Sequence, residues 1–453
     1  MAVTRRGSLI TGGIASSALL IPGSVLGANE KISIAFIGIG ARGNTLLSLF
    51  EKSGLIHVAA LCDVDLETDY VAEAKSRFPK ACVYSDWRKL FDEKSREFDA
   101  VMVMVPDHSH FPITMAAMAL GKHVYTEKPL ARTFEEIELM TAAAKRYGVV
   151  TQMGNSGFSG PNYFQFKAWK EAGIIKNVRH VDAFINISFP WYGRRISSWP
   201  AGEKMPGHIN WDVWLGTTPE RPFSKEYARW SWRGWQQYGT GAFGDWGAHI
   251  FDSMHHFLEL GLPEKIEIKK LVGRNDFTFS RASTLRFTFP ERNGMPALRV
   301  DYYDGRSEED YPPEPAAFAG RENDYTKHPG KFIFSDSLTF FGGHHGTPLQ
   351  VIPYGKMREL LQAGTLPKDF GRHSDHYTNF LLACKGEEKT RSPFEIGGPL
   401  SQFLVLGSIA QRMGTEGQIL TFDRMKKCFS NNDRANALLK DIPRKGWEQY
   451  YTL

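Results

Sequence analysis

Cysteine is scarce. Four residues, Cys62, Cys82, Cys384 and Cys428, stand in a chain of 453. None of them forms a CxxC pair or a metal-ligand spacing, so zinc ribbons and dithiol redox motifs are excluded. Cys62 and Cys82 fall in predicted strands, and all four read as buried thiols, although a disulfide pairing stays open. No block of Lys or Arg is present. With 55 basic and 50 acidic residues the formal charge is +5, which is small for this length and argues against a nucleic-acid partner. Internal repeats and low-complexity tracts are lacking as well. Beyond the first thirty residues no apolar run is long enough to span a membrane.

What is present is ordinary globular composition, 42% hydrophobic and 23% charged, with length for two domains. The amino-terminal stretch is set apart. Arg5 and Arg6 precede an apolar, Gly/Ala/Ser-rich run to about Leu20, followed by Pro22 and small residues to Ala28. That order is the one of a bacterial export signal, and the paired arginines fit the twin-arginine type. Residues 1–28 are therefore expected to be a leader, with a periplasmic or otherwise exported mature chain of charge +3. No cysteine near the cleavage site suggests a lipid anchor. The 11 Trp are the other unusual feature, many of them between Trp191 and Trp246. Aromatic rings pack on the C–H faces of sugars, but an irregular insertion also uses Trp as its own core, and both readings stay open here.

Short apolar strands alternate with amphipathic helices after the leader. The pattern predicts strands at 31–37, 57–63, 81–84, 99–105, 122–126 and 149–153. Helices are predicted at 43–53, 66–78, 86–94, 109–121, 133–147 and 160–172. Such alternation predicts a parallel sheet with helices on both faces. After about Gly173 the pattern changes. Alternating strands at 177–188, 264–271, 284–289, 298–303 and 331–341, with helices at 242–260, 372–385 and 400–413, predict a mostly antiparallel sheet. The segments 189–240 and 304–330 read as irregular insertions, and Pro399 reads as the start of the last helix.

Four strand ends and one helix carry the chemistry. The first strand breaks into Gly38, Gly40 and Gly43, and a helix begins at once. Glycines there let a pyrophosphate approach the exposed N–H groups of a helix start. Asp63 ends the second strand, where a carboxylate holds ribose hydroxyls and repels a 2′-phosphate. Together they point to NAD. The fourth strand ends in Val105-Pro-Asp-His108 and the fifth in Glu127-Lys128-Pro129. Lys128 is placed to stabilise charge on a reacting hydroxyl oxygen. Asp245 and His249 lie four apart on one helix face, so the carboxylate is expected to orient the imidazole as a base. Asp252 reads as a second orienting acid or as helix surface. A metal is not expected, because no third ligand stands at suitable spacing.

In combination these motifs resemble the Gfo/Idh/MocA oxidoreductases, the glucose–fructose oxidoreductase and inositol dehydrogenase group. The resemblance covers nearly everything after the leader, and the Cys384…Glu395 segment is similar to its exported branch. It implies an α/β fold: a Rossmann NAD-binding domain at 29–155, and at 156–453 an α+β domain for substrate and oligomerisation with a large, mostly antiparallel sheet. By the resemblance Lys128, His249 and Asp245 are catalytic. Gly38, Gly40, Ala41, Arg42, Gly43, Asp63, Val105, Pro106, Asp107, His108, Glu127, Lys128 and Asn155 are cofactor-binding. Lys128, Trp232, Arg233 and His249 are substrate-binding, within the stretch Trp230-Ser-Trp-Arg233. The implied activity is NAD-dependent oxidation of a ring hydroxyl of a sugar or glycoside, in a homo-oligomeric assembly; the twin-arginine leader, which exports folded chains, adds the expectation of a tightly bound NAD. A related redox-neutral glycosidase group has a Tyr three residues before its His. Trp246 stands there in this chain, which weakens that alternative.

Overall fold

Strands that are apolar on both sides need helices over both faces, and the first half of the chain supplies them in alternation. The computed structural model describes residues 31–185, 196–227, 231–305, 310–318 and 328–453. In chain order come β1 (Ile32–Ile37), α1 (Ala41–Lys52), β2 (Ile56–Cys62), α2 (Asp69–Arg77), β3 (Cys82–Tyr84) and α3 (Trp87–Lys94). They are followed by β4 (Ala100–Val103), α4 (Asp107–Ala119), β5 (His123–Thr126), α5 (Phe134–Tyr147) and β6 (Thr151–Met153). Among the described residues these six strands form one parallel sheet in the order β3-β2-β1-β4-β5-β6. The helix ends are set by local chemistry. Thr133 and Glu136 make a reciprocal capping box at the start of α5, and Gly148 ends it at φ 63°. The start of α1 has Gly40 at its cap and no side-chain cap, which leaves its first N–H groups free.

The second half builds on α6 (Pro161–Glu171), β7 (His180–Ile185), α7 (Trp211–Leu215) and α8 (Gly241–Phe257). Then come β8 (Lys265–Val272), β9 (Ala282–Phe289), β10 (Leu298–Asp304), β11 (Gly330–Phe334), β12 (Thr339–Gly342) and β13 (Leu349–Ile352). The chain closes with α9 (Tyr354–Gln362), α10 (His376–Cys384), α11 (Phe394–Met413), β14 (Ile419–Asp423), β15 (Cys428–Phe429) and α12 (Asp433–Ala437). Among the described residues nine strands line up as β13-β12-β11-β7-β10-β9-β8-β14-β15. The β7–β10 pair is parallel and the others are antiparallel. Buried and partly exposed residues alternate along β9, as in a sheet with one face on the core.

Helix α8 carries the candidate chemistry, and its seat is close-packed. A Cβ on Gly407 of α11 would lie 2.1 Å from the Phe243 ring, and one on Gly247 would lie 2.5 Å from Leu404. Glycine at both contacts lets the two helices approach until the aromatic and leucine side chains interlock. On its other side α11 meets the first sheet, where Gly397 lies against Met153. One core of buried side chains therefore runs through both halves.

Several expectations change. The strand expected at 331–341 is a hairpin, β11 and β12, because Ser335 and Leu338 close a turn between them. Pro399 lies inside α11, which begins at Phe394. Asp252 is buried rather than surface. The four cysteines are free thiols. Cys62 is buried, whereas Cys82, Cys384 and Cys428 are partly exposed. No helix of the described residues is long and apolar enough to cross a membrane. The leader, residues 186–188 of the expected strand, Trp191 and Trp230 lie outside the described residues.

Candidate active site

A cleft of about 910 Å³ opens at the carboxyl ends of the parallel strands, where a doubly wound sheet gathers its ligands. Its floor is the turn after β1. Gly38 adopts φ 90°, and a Cβ there would lie 2.4 Å from the Met104 carbonyl oxygen. A Cβ on Gly43 would lie 2.1 Å from the Gly38 carbonyl oxygen, whereas Gly40 faces open space. Two of the glycines thus pack the turn, and the third leaves room for a ligand. Asp63 is tied into the same turn. It accepts from the Ile39 N–H at 2.6 Å and from the Asp65 N–H at 3.0 Å. Burial pushes its carboxyl up, and the two N–H groups pull it back.

The far wall is ionic. Lys128 donates to the Asp245 carboxylate, and Arg233 approaches the same carboxylate at 3.2 Å. Arg233 also pairs with Asp107 at 3.2 Å, and Thr240 donates to the other Asp107 oxygen at 2.7 Å. Four charges of alternating sign, nearly all buried, hold one another in place. Burial alone raises a carboxyl, but Arg233 and Lys128 outweigh it and hold Asp245 below its ordinary value. Arg42 reaches toward Glu127 at 3.6 Å. Glu127 Oε1, the oxygen that Arg42 approaches, is buried and makes no hydrogen bond within the protein, so it can still accept one from the cleft.

Asp245 does not orient His249. Its carboxylate is taken up by the two cations, since a charged pair outbids a neutral imidazole for a buried carboxylate. His249 Nδ1 is buried without a partner. Instead its ring lies flat against His345, with centroids 3.9 Å apart and planes 20° apart. Burial first, then Lys128, His345, Arg42 and Arg233, holds the His249 imidazole well below its ordinary value.

The other expected contacts divide. Gly38, Gly40, Ala41, Arg42, Gly43, Asp63, Val105, Pro106, Asp107, Glu127, Lys128, Trp232 and Arg233 line the cleft. Asp245 stands directly behind Lys128 and Arg233, and His249 follows one helical turn on. His108 turns away. Its Nε2 contacts the Trp214 carbonyl at 2.6 Å and its Nδ1 the Tyr238 carbonyl at 3.3 Å. Burial lowers it to about 3, so it is a neutral structural imidazole. Asn155 is a tie to α8, donating to the Ala248 carbonyl at 2.6 Å. Most of the clustered Trp form a core of their own, with Trp199, Trp211, Trp214, Trp232 and Trp235 around Tyr227 and Tyr238. Trp211, Trp214 and Trp232 of that core also border the cleft.

Two parts were not expected from sequence. One is His345, which stands 96 residues from His249 in the chain; the glycine-flanked pair His344-His345 was the available signal. The other is a strap over the ends of β2 and β3. Asn210 N–H donates to the Val64 carbonyl at 2.8 Å, and Ile209 bridges Asp65 in antiparallel fashion. His208 stands 3.2 Å from Glu67 and 3.7 Å from Asp65, and Arg88 pairs with Asp212 at 2.9 Å. Apart from the cleft, His180, Asp182 and Asp301 on the second sheet bring ligand-type atoms together. Arg286 and Arg299 already engage Asp301 there, at 2.6 and 3.2 Å, so the negative charge is met by guanidinium groups.

Family models bear on the whole arrangement. Residues 32–155 match the oxidoreductase family with an NAD-binding Rossmann fold, Gfo/Idh/MocA, and residues 175–281 match a C-terminal α/β domain of that family. The chain belongs to the Gfo/Idh/MocA oxidoreductase family. Its parallel sheet is the NAD-binding Rossmann domain of that family, and the glycine turn, Asp63 and the unpartnered Glu127 oxygen fit the cofactor. Curated relatives include a levoglucosan dehydrogenase of Pseudarthrobacter phenanthrenivorans. It is 29% identical over 190 residues, 42% of this chain and 40% of that one. An alpha-N-acetylgalactosaminidase of Shewanella oneidensis is 29% identical over 191 residues, 40% of this chain and 41% of that one. The chain thus matches about two fifths of the length of these relatives. Among solved structures, the WlbA dehydrogenase of Bordetella pertussis, in complex with NADH and UDP-GlcNAcA, shares the fold. Its TM-score is 0.57 at 14% identity, covering 87% of this chain and 99% of that one.

Proposed function

We propose that the protein oxidises a ring hydroxyl of a sugar or glycoside with NAD. The observation that carries this reading is the Lys128–Asp245–Arg233–Asp107 network at the inner wall of the cleft, with His249 one turn further along α8. Bound NAD supplies the hydride acceptor. Lys128, fixed by Asp245, donates to the substrate oxygen and stabilises negative charge as it builds there. Neutral His249 takes the hydroxyl proton. Arg233, stacked 4.3 Å over Trp232, offers a guanidinium beside an aromatic face, a pairing suited to a sugar. Glu127, Arg42, Asp63 and the glycine turn hold the cofactor.

The strap favours a cofactor that is retained over one that exchanges, because Ile209 and Trp211 join Asp65 and Glu67 in the cleft lining and are tied across it by the Ile209–Asp65 bridge. A resident cofactor also suits the export expected from Arg5 and Arg6, which we propose delivers the folded, loaded protein outside the cytoplasm. A cofactor that stays must return its hydride to a second acceptor or to the same sugar. The likeness to an alpha-N-acetylgalactosaminidase favours the second course as an alternative reading: transient oxidation acidifies the neighbouring C–H, loss of that proton expels the aglycone, water adds to the resulting double bond, and return of the hydride to the keto carbon leaves no net redox change.

Denatured protein is expected to release NAD in stoichiometric amount. The native protein, screened against levoglucosan, free sugars and aryl glycosides, is expected to give a keto-sugar detectable by mass spectrometry. A free aglycone without net redox change would select the alternative; neither product from any of them would sink both readings. A second expectation concerns Asp63. Asp63→Ala removes two charge-assisted acceptors from the turn and the charge that repels a 2′-phosphate. NAD affinity should fall about tenfold or more, and the NAD-over-NADP preference should narrow. Titration of both cofactors measures this, and an unchanged ratio would move the ribose contact elsewhere.

A further inference from the structure

We propose that His345 is a positioning residue for His249, its ring serving as the flat platform that fixes the orientation of the imidazole and keeps water from its buried side. The inference rests on the reading of His249 as proton acceptor, and it answers a question that reading leaves. A base must be held in one rotamer, usually by a carboxylate on its second nitrogen. Here Asp245 is engaged elsewhere and His249 Nδ1 has no partner. What touches the imidazole is another imidazole, face to face at 3.9 Å.

The loop that presents His345 is built to do so. It joins β12 to β13 and reads Gly342-Gly-His-His-Gly346. Gly342, Gly343 and Gly346 have φ of 107°, 75° and 76°, and His345 itself has φ 46°. A side chain is rarely kept in that left-handed region unless its surroundings over-determine it. They do so here from three sides. His345 N–H donates to the His249 carbonyl at 3.1 Å. Asn162 N–H, at the start of α6, donates to the Gly346 carbonyl at 2.9 Å, and a Cβ on Gly346 would lie 2.9 Å from the Gly160 Cα. Lys331, fully buried on β11, donates both to the Ile250 carbonyl of α8 and to the Gly343 carbonyl of the loop. Asp252 faces that lysine from α8. The buried cation therefore stitches the loop to the helix turn that bears His249. Trp246 closes the arrangement, its ring 4.7 Å from His345 and 5.9 Å from His249.

The electrostatics agree with this geometry. The groups facing His249 are Lys128 after β5, Arg42 on α1, Arg233 from the insertion and His345 from the loop, with Asp245 on its own helix. Burial lowers His345 to about 4, with His344 and Lys128 adding to the effect, so both stacked rings are neutral near pH 7. When His249 takes a proton, the neutral face of His345 is then the aromatic surface against which the imidazolium rests.

The test needs no substrate. The full chain, labelled with ¹³C at histidine Cε1, is titrated by NMR, with His249 assigned from its loss in His249→Gln. His345→Gly removes the ring while suiting the φ of the loop, and His345→Phe keeps an aromatic face without a titrating group. His345→Gly should remove the ring-current shift of the His249 signal. Admitting water should raise its pKa by about one unit, because burial is the main cause that lowers it. His345→Phe should leave that pKa low. A His249 signal unmoved in shift and titration by His345→Gly overturns the proposal, as does a Phe variant that titrates like the Gly one. Turnover of His249→Ala, measured separately, tests the acceptor reading, so the two failures are distinguishable.

Discussion

His249→Ala should lower turnover by about a hundredfold or more, the scale on which a positioned general base contributes. NAD affinity should stay near the wild-type value, since His249 is not among the residues that line the cleft with the glycine turn and Asp63. The pH profile carries a second signature. His249 is held well below the ordinary histidine value, by burial before anything else, so it is the neutral, proton-accepting form at pH 7. Protonation removes the base. The wild-type kcat/KM should therefore fall only as pH drops well below 6.5, and the same limb should be absent from the residual activity of the variant. Steady-state kinetics across the acidic range measure both effects. An unchanged rate at pH 7 would take His249 out of the mechanism.

Lys128→Met should lower kcat by about a hundredfold as well, the usual loss when one donor to a developing oxyanion is removed. The loss should appear in kcat more than in KM, because the charge it meets is greatest in the transition state. Stability should fall by less than the ~3–5 kcal/mol of an orphaned buried charge, since Arg233 still faces Asp245 at 3.2 Å. Thermal unfolding separates this from a folding defect. Lys128→Arg should not restore the rate: a planar fork cannot occupy the place of a compact ammonium between a carboxylate and a substrate oxygen. Full activity in the Met variant would assign the oxyanion role to Arg233.

The glycine turn and the acid beside it were legible because their signals are local. A glycine turn between an apolar strand and a helix, and an acid at the end of the next strand, are each set by a few consecutive residues. The structure sets Asp63 against the turn that holds Gly38, Gly40 and Gly43, accepting from Ile39 N–H. His108 shows the limit of that logic. It stands in the right run, but the insertion supplies two carbonyls, from Trp214 and Tyr238, that turn its ring the other way. The same insertion answers the question left by the tryptophans: they are chiefly its own core, with three of them bordering the cleft.

The amino-acid sequence by itself determined the alternation of strands and helices, the glycine turn, and the sharing of one helix face by Asp245 and His249, since each follows from backbone periodicity. Only the tertiary structure decided their partners. Asp245 and His249 share a face, yet Asp245 pairs with Lys128 from the loop after β5 and with Arg233 from the insertion, and His249 stacks on His345 from a hairpin loop. Spacing along a helix says which side chains can meet. Which of them do meet is settled by competition for charge and space in a buried site, and the winning groups arrive from distant parts of the chain.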